Sequence, residues 1–109
     1  MIIVEYKNID LEALFTRGKS VIFKEIVDKK MFIQAIYGFK SILRVIDNVA
    51  ELKLYQYLHY RKYSTYSTVT IEGSGLTGCL MFSETEQGNS ITLYELIVNN
   101  KGYVKKRNF

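Results

Sequence analysis

The sequence predicts an α+β domain in which two N-terminal helices pack on one face of a small antiparallel sheet. Three observations carry this expectation. Between residues 28 and 48 large apolar side chains recur at helical spacing, whereas from residue 66 onward apolar and polar residues alternate in short runs parted by Gly- and Asn-containing turns. No proline interrupts either pattern. With 109 residues, 48% of them hydrophobic, the chain has the length and apolar content for one core. A single domain spanning 1–109 is expected, with about 101–109 as a C-terminal tail.

Taken in order, Ile2 to Tyr6 is apolar and β-branched and reads as a first strand. Asn8 and Asp10 offer helix caps, Leu11, Leu14 and Phe15 repeat at helical spacing, and Gly18 closes this short helix. Gly18-Lys19-Ser20 has the last letters of a phosphate-binding loop, but Ala13 stands where the earlier glycine of that motif belongs, so the match fails. From Asp28 to Asn48 the residues Phe32, Ile36, Phe39, Leu43 and Ile46 form a stripe that Ala35 and Ile42 widen, while Lys30, Gln34, Lys40, Ser41 and Asp47 take the other side. This is an amphipathic helix whose stripe needs a cover of similar width. Each such side chain contributes roughly 1.5–3 kcal/mol when buried, so the stripe is read as core.

Three strands follow. Tyr66 to Glu72 sets Val69 and Ile71 against Thr68, Thr70 and Glu72; Cys79 to Ser83 sets Leu80 and Phe82 against Cys79 and Met81. Gly73 to Gly78 reads as a glycine-rich hairpin loop between them, and Glu84 to Ser90 as a second turn. Ile91 to Val98 is apolar on both faces, which predicts a strand with neighbours on either side.

The net charge of +4 resides in Lys101, Lys105, Lys106 and Arg107; without them basic and acidic residues balance at eleven each. Such a tail suits a polyanion, because cations that neutralise phosphates release condensed counterions; a solvated end that aids solubility is the ordinary alternative. The single cysteine, Cys79, excludes an internal disulfide and a multi-cysteine zinc site and fits a reducing cytoplasm. No signal-peptide core and no apolar run of membrane length is present, so a soluble, cytoplasmic protein without membrane contact is expected.

The chemistry concentrates between residues 52 and 71. Leu58-His59-Tyr60-Arg61-Lys62-Tyr63 holds the only histidine, two adjacent cations and several tyrosines. Cations take phosphate and aromatic rings stack bases, so Arg61, Tyr60 and Tyr63 together with the tail cations are candidate RNA-binding residues. His59 and Lys62 are candidate catalytic residues: the pair can deprotonate a ribose 2′-OH and protonate the leaving oxygen of a phosphodiester without metal. The plain alternative is a surface histidine in a connector whose rings cover a sheet edge. One His and one Cys twenty residues apart make no metal-ligand set, and no cofactor is expected. Cys79 as a nucleophile would need His59 beside it; a small buried side chain is the commoner role.

Four segments, read together, resemble the RelE/ParE toxin superfamily, and most closely its HigB-like branch: Leu14-Phe15-Thr16-Arg17-Gly18-Lys19-Ser20, the helix from Phe32 to Asn48, Leu58 to Tyr63, and the strand series ending in Ile91 to Val98. The likeness spans about residues 3 to 100. It implies a toxin of a type II toxin-antitoxin pair: a ribosome-dependent, metal-independent mRNA endoribonuclease, neutralised by a cognate antitoxin of helix-turn-helix type. On this resemblance the family's histidine falls on His59 and its lysine on Lys62. The family's arginines fall on Cys79 and Thr70, the His or Tyr ending its last strand falls near Asn99 and Asn100 with Tyr103 close by, and the Gly73–Gly78 loop is longer than usual. A weakened nuclease, a toxin-fold protein that binds an antitoxin or other protein without chemistry, and a ParE-like gyrase inhibitor are therefore all open.

Overall fold

The sheet is built around a helix that the apolar stripe dictates. In the computed structural model, which describes residues 1–19 and 26–99, helix α2 (Lys30–Val45) buries Phe32, Ile36, Phe39 and Leu43 almost completely. It stops before Asn48 because the chain there has a stronger local option. The Asn48 side chain accepts from the Ala50 amide (2.9 Å), and Glu51 accepts from the Asn48 amide (2.9 Å), a capping box that opens a 3-10 turn over Val49–Leu54. Ile46, in extended backbone, still reaches the core.

Before α2 stand strand β1 (Ile3–Tyr6) and helix α1 (Ile9–Arg17). Asn8 caps α1 by accepting from the Asp10 and Leu11 amides, and Gly18 ends it in the left-handed conformation (φ 67°) that glycine adopts without strain. Leu11, Leu14 and Phe15 are buried, and the Lys40 ammonium donates to the Phe15 carbonyl at 2.6 Å, tying α1 to α2. Among the described residues no helix is long and apolar enough to cross a membrane.

After the 3-10 turns come β2 (Arg61–Lys62), β3 (Ser67–Gly73), β4 (Leu76–Glu84) and β5 (Ser90–Asn99), arranged in the order β1-β5-β4-β3-β2. The α+β arrangement is as expected, with one difference. β1 pairs with β5 in parallel, so the sheet is mixed, and β2 is a short edge strand that no alternation in the sequence announces.

Gly73 to Gly78 is not a loop. β3 and β4 are joined by two residues, Ser74 and Gly75, both at positive φ (54° and 77°), the pattern of a tight type I′ hairpin. Gly73 and Gly78 belong to the strands and are glycine because α2 is close. A Cβ at Gly73 would meet the Met31 backbone at 2.5 Å, and one at Gly78 the Phe32 ring at 2.9 Å. The Ser74 hydroxyl accepts from the Met31 amide (3.1 Å), so the hairpin supplies the helix start with the cap that Lys29 lacks.

β5 reads as apolar on both faces for a second reason besides having two neighbours. Phe82 pairs with Leu93 and Met81 with Glu95, leaving Tyr94 as an extra residue in the ladder. This bulge shifts the phase by one, so Ile91 and Leu93 face the helices before it and Leu96 and Val98 after it.

Candidate nucleic-acid interface

Two faces of the sheet must be distinguished. Val69, Ile71, Leu80 and Phe82 lie under the helices and are buried; Thr68, Thr70, Cys79 and Met81 alternate with them on the open face. Directly paired residues share a face, so the pairing of Arg61 with Thr68 puts Arg61 on the open face, and that of Lys62 with Ser67 puts Lys62 on the helix-bearing face.

Leu58 and Tyr60 both turn toward the core, as strand-like alternation would require, but the chain reaches this by another route. Leu58 ends a 3-10 turn over Gln56–Leu58, and His59 follows in the left-handed region (φ 48°, ψ 46°). Such backbone is uncommon for a residue with a Cβ and marks a sharp change of direction. His59 is exposed, as are Arg61 and Lys62, so three cationic or titratable groups emerge within four residues at the β2 edge. The next turn closes with the Tyr63 amide donating to the Tyr66 carbonyl at 2.8 Å, and the two rings stack with centroids 4.8 Å apart. A hollow of about 70 Å³ lies against residues 62–67 and Glu84. A broader trough of about 670 Å³ lies over Lys7, Thr65, Ser83, Thr92 and Tyr94.

Tyr60 has a different part. One face of its ring lies against Phe82 (centroids 6.4 Å apart, 21° between planes), and its hydroxyl donates to Glu84 Oε2 at 2.5 Å. The ring serves the core edge rather than standing free as a platform for a base. Ser67, fully buried, donates to the same oxygen at 2.6 Å, and the Lys62 ammonium lies 3.5 Å from Glu84 Oε1. The Glu84 side chain is only 8% exposed against 60% for Lys62. Burial, then the hydrogen bond and charge of Glu84, push the Tyr60 hydroxyl far above its ordinary range, so it remains a donor. Glu84 and Ser67 were not singled out in the sequence, although Glu84 continues the inward phase of Leu80 and Phe82 and so could have been read as a buried carboxylate.

On the open face Thr70 pairs directly with Cys79, and Cys79 with Ile97 on its other side. That row carries no charge. Cys79 is exposed on this face rather than the small buried side chain expected, because it alternates with the inward Leu80; partial desolvation still pushes its thiol up, away from thiolate, and among the described residues no hydrogen bond joins it to His59. Among the described residues no three His, Cys, Asp or Glu side chains come together as a metal site. Lys101, Lys105, Lys106 and Arg107, with Asn100 and Tyr103, lie outside the described residues. No family model, curated protein or solved structure matches the chain.

Proposed function

We propose that this protein acts on RNA at the β2 edge, as a metal-independent endoribonuclease toxin that cuts mRNA on the ribosome and is held in check by a helix-turn-helix antitoxin. What supports this most is that His59, Arg61 and Lys62 are all exposed within four residues of chain at the β2 edge, followed directly by the turn whose Tyr63 and Tyr66 rings stack. Exposed cations meet phosphate and an aromatic step meets a base, which is how single-stranded RNA is held. In this reading His59 takes the proton of a ribose 2′-OH, the 2′ oxygen attacks phosphorus as the bond to the 5′ oxygen breaks, and the Lys62 ammonium, set against the phosphate charge, gives that leaving oxygen its proton. Arg61, on the other face of the same strand, grips the strand beyond the scissile bond, and the tail cations add backbone affinity.

The test is induced expression. Growth arrest with codon-spaced cuts in translated mRNA, both lost in the His59→Ala, Lys62→Ala double variant while the fold persists, is the expected result; intact transcripts and normal growth refute it.

A second reading, a toxin-fold module that binds a protein without chemistry, has its own observation. The neutral Thr70–Cys79 pair occupies adjoining positions where the resemblance calls for arginines, and a missing cation at a transition-state phosphate costs roughly 10²-fold or more. Arrest that survives the double variant favours binding. DNA-damage induction without mRNA loss would instead indicate a gyrase-directed action.

A further inference from the structure

β2 covers only the first part of β3. Its pairing reaches Ser67 and Thr68, and the left-handed turn at His59 carries the preceding chain off the sheet, so β3 beyond Thr68 has no strand on that side. A two-residue hairpin closes on a hydrogen-bonded pair, here Gly73 and Leu76, so Gly73, Ile71 and Val69 bond to β4. Thr70 and Glu72 turn their amides and carbonyls the other way, and among the described residues nothing hydrogen-bonds to those groups.

Against this edge lies a pocket of about 280 Å³. Its floor is apolar and almost wholly buried: Phe39 of α2, Leu58 of the 3-10 turn and Ile71 of β3. Tyr57 forms one side, 64% exposed, its ring held edge-on to Tyr55 (centroids 6.4 Å apart, 87° between planes). Gly38 of α2 lines the pocket too, and the fold gives no reason for glycine there. It sits inside a helix, where glycine is a poor former, its φ is not positive, and a Cβ would meet nothing within 4 Å. Unlike Gly73 and Gly78 it answers to no close neighbour; its effect is to widen the pocket.

Shape and charge select the occupant. The 3-10 turn ending at His59 stops one end, and at the other Gly73 lies against the Met31 backbone while the Ser74 hydroxyl accepts from the Met31 amide. Only Thr70 and Glu72 face outward between these stops, too short an edge to seat an added strand of the usual ~5 residues. A volume of 280 Å³ equals on the order of nine waters at ~30 Å³ each, the bulk of a fused two-ring heterocycle. The lining holds no cation, and its one charged group is the Glu72 carboxylate, to which the Thr77 hydroxyl donates at 3.5 Å. A phosphate therefore stays outside.

We propose that this pocket between α2 and β3 binds an adenine-type base. The amino group donates to an outward carbonyl of the β3 edge, the neighbouring ring nitrogen accepts from an outward amide, and the flat faces lie against the apolar walls and the Tyr57 ring. A few fixed polar groups on an apolar, concave wall are how such rings are held. The base can arrive as a free nucleoside or on an RNA strand, and the inference does not depend on cleavage at His59 and Lys62.

Calorimetric titration of the full-length protein tests it with three probes: adenosine, purine riboside, which has the same rings without the amino group, and a short 2′-O-methyl oligoadenylate, which cannot be cut through a 2′-OH. Adenosine is expected to bind, to slow hydrogen exchange at the Thr70 and Glu72 amides, and to exceed purine riboside in affinity by about tenfold or more, as one lost hydrogen bond predicts. Gly38→Leu puts a side chain into the pocket and should abolish binding without lowering the urea midpoint; Gly38→Ala should weaken it in the same direction and keeps the test valid if leucine disturbs the helix. Binding of adenosine itself assigns a free nucleoside, and binding of the oligoadenylate alone, lost in the Gly38 variants, assigns a base on a strand. No binding of either, equal affinity for adenosine and purine riboside, or affinity unmoved by the Gly38 variants overturns the proposal.

Discussion

Replacing Glu84 with alanine removes the one acceptor that two hydroxyls and an ammonium share, and the structure sets the size of the effect. Ser67 is fully buried and Tyr60 half-buried, and a buried donor left without a partner costs about 1–3 kcal/mol. Lys62 is largely in water, so its pairing with Glu84 adds no more than about 1 kcal/mol. Glu84→Ala should therefore destabilise the fold by about 2–5 kcal/mol, a large part of the ~5–15 kcal/mol that holds a domain together. Glu84→Gln keeps the shape and one carbonyl acceptor and should cost less, about 1–2 kcal/mol. Urea unfolding followed by tyrosine fluorescence is the natural assay, since the chain has nine tyrosines and no tryptophan. The network also predicts non-additivity: adding Ser67→Ala to Glu84→Ala should cost less than Ser67→Ala alone, because the hydroxyl has already lost its partner. A Glu84→Ala protein within about 0.5 kcal/mol of the unaltered chain would refute the reasoning.

Three further outcomes are expected. Gly73→Ala drives a methyl into the Met31 backbone and should cost about 3 kcal/mol, whereas Gly78→Ala meets the more yielding Phe32 and Leu96 side chains and should cost nearer 1 kcal/mol; urea midpoints rank the two. Because folded Tyr60 keeps its proton above the ordinary tyrosine pKa, the stability it lends is complete below about pH 10 and is lost as pH rises past it; Tyr60→Phe should flatten that alkaline decline in unfolding free energy. Cys79→Arg places a guanidinium beside Thr70 on the open face and, under the nuclease reading, should raise cleavage by about 10²-fold, as scored by primer extension; no cut from either form counts against that reading.

The fold was legible wherever one periodicity ran undisturbed. The stripe from Phe32 to Ile46 predicts its own burial residue by residue, and the alternation around Val69, Ile71, Leu80 and Phe82 assigns both faces of β3 and β4. Legibility failed where a residue answers to a distant neighbour. Gly73 and Gly78 look like turn residues until α2 is seen to press on them, and the end of α2 is set by Asn48. That residue also donates from its side-chain amide to the Gln87 carbonyl (2.9 Å) across the β4–β5 turn. Local propensity is a weak prior against such contacts.

The candidate site was legible in composition and not in direction. His59, Arg61 and Lys62 are conspicuous as residue types, but their aim depends on a left-handed backbone at His59 and on a two-residue pairing with β3, neither of which has a sequence period. Arg61 and Lys62, adjacent in the chain, leave on opposite faces, and only the second meets a carboxylate. The consequence is chemical: Lys62 arrives at any phosphate already paired, so an incoming anion must compete with Glu84 for the ammonium, while Arg61, which forms no ion pair among the described residues, can make the first contact without such competition. Charge reversal at Arg61 should thus weaken RNA binding more than reversal at Lys62, whereas cleavage, if it occurs, should depend more on Lys62. An order of effects the other way round would place the catalytic cation on the open face.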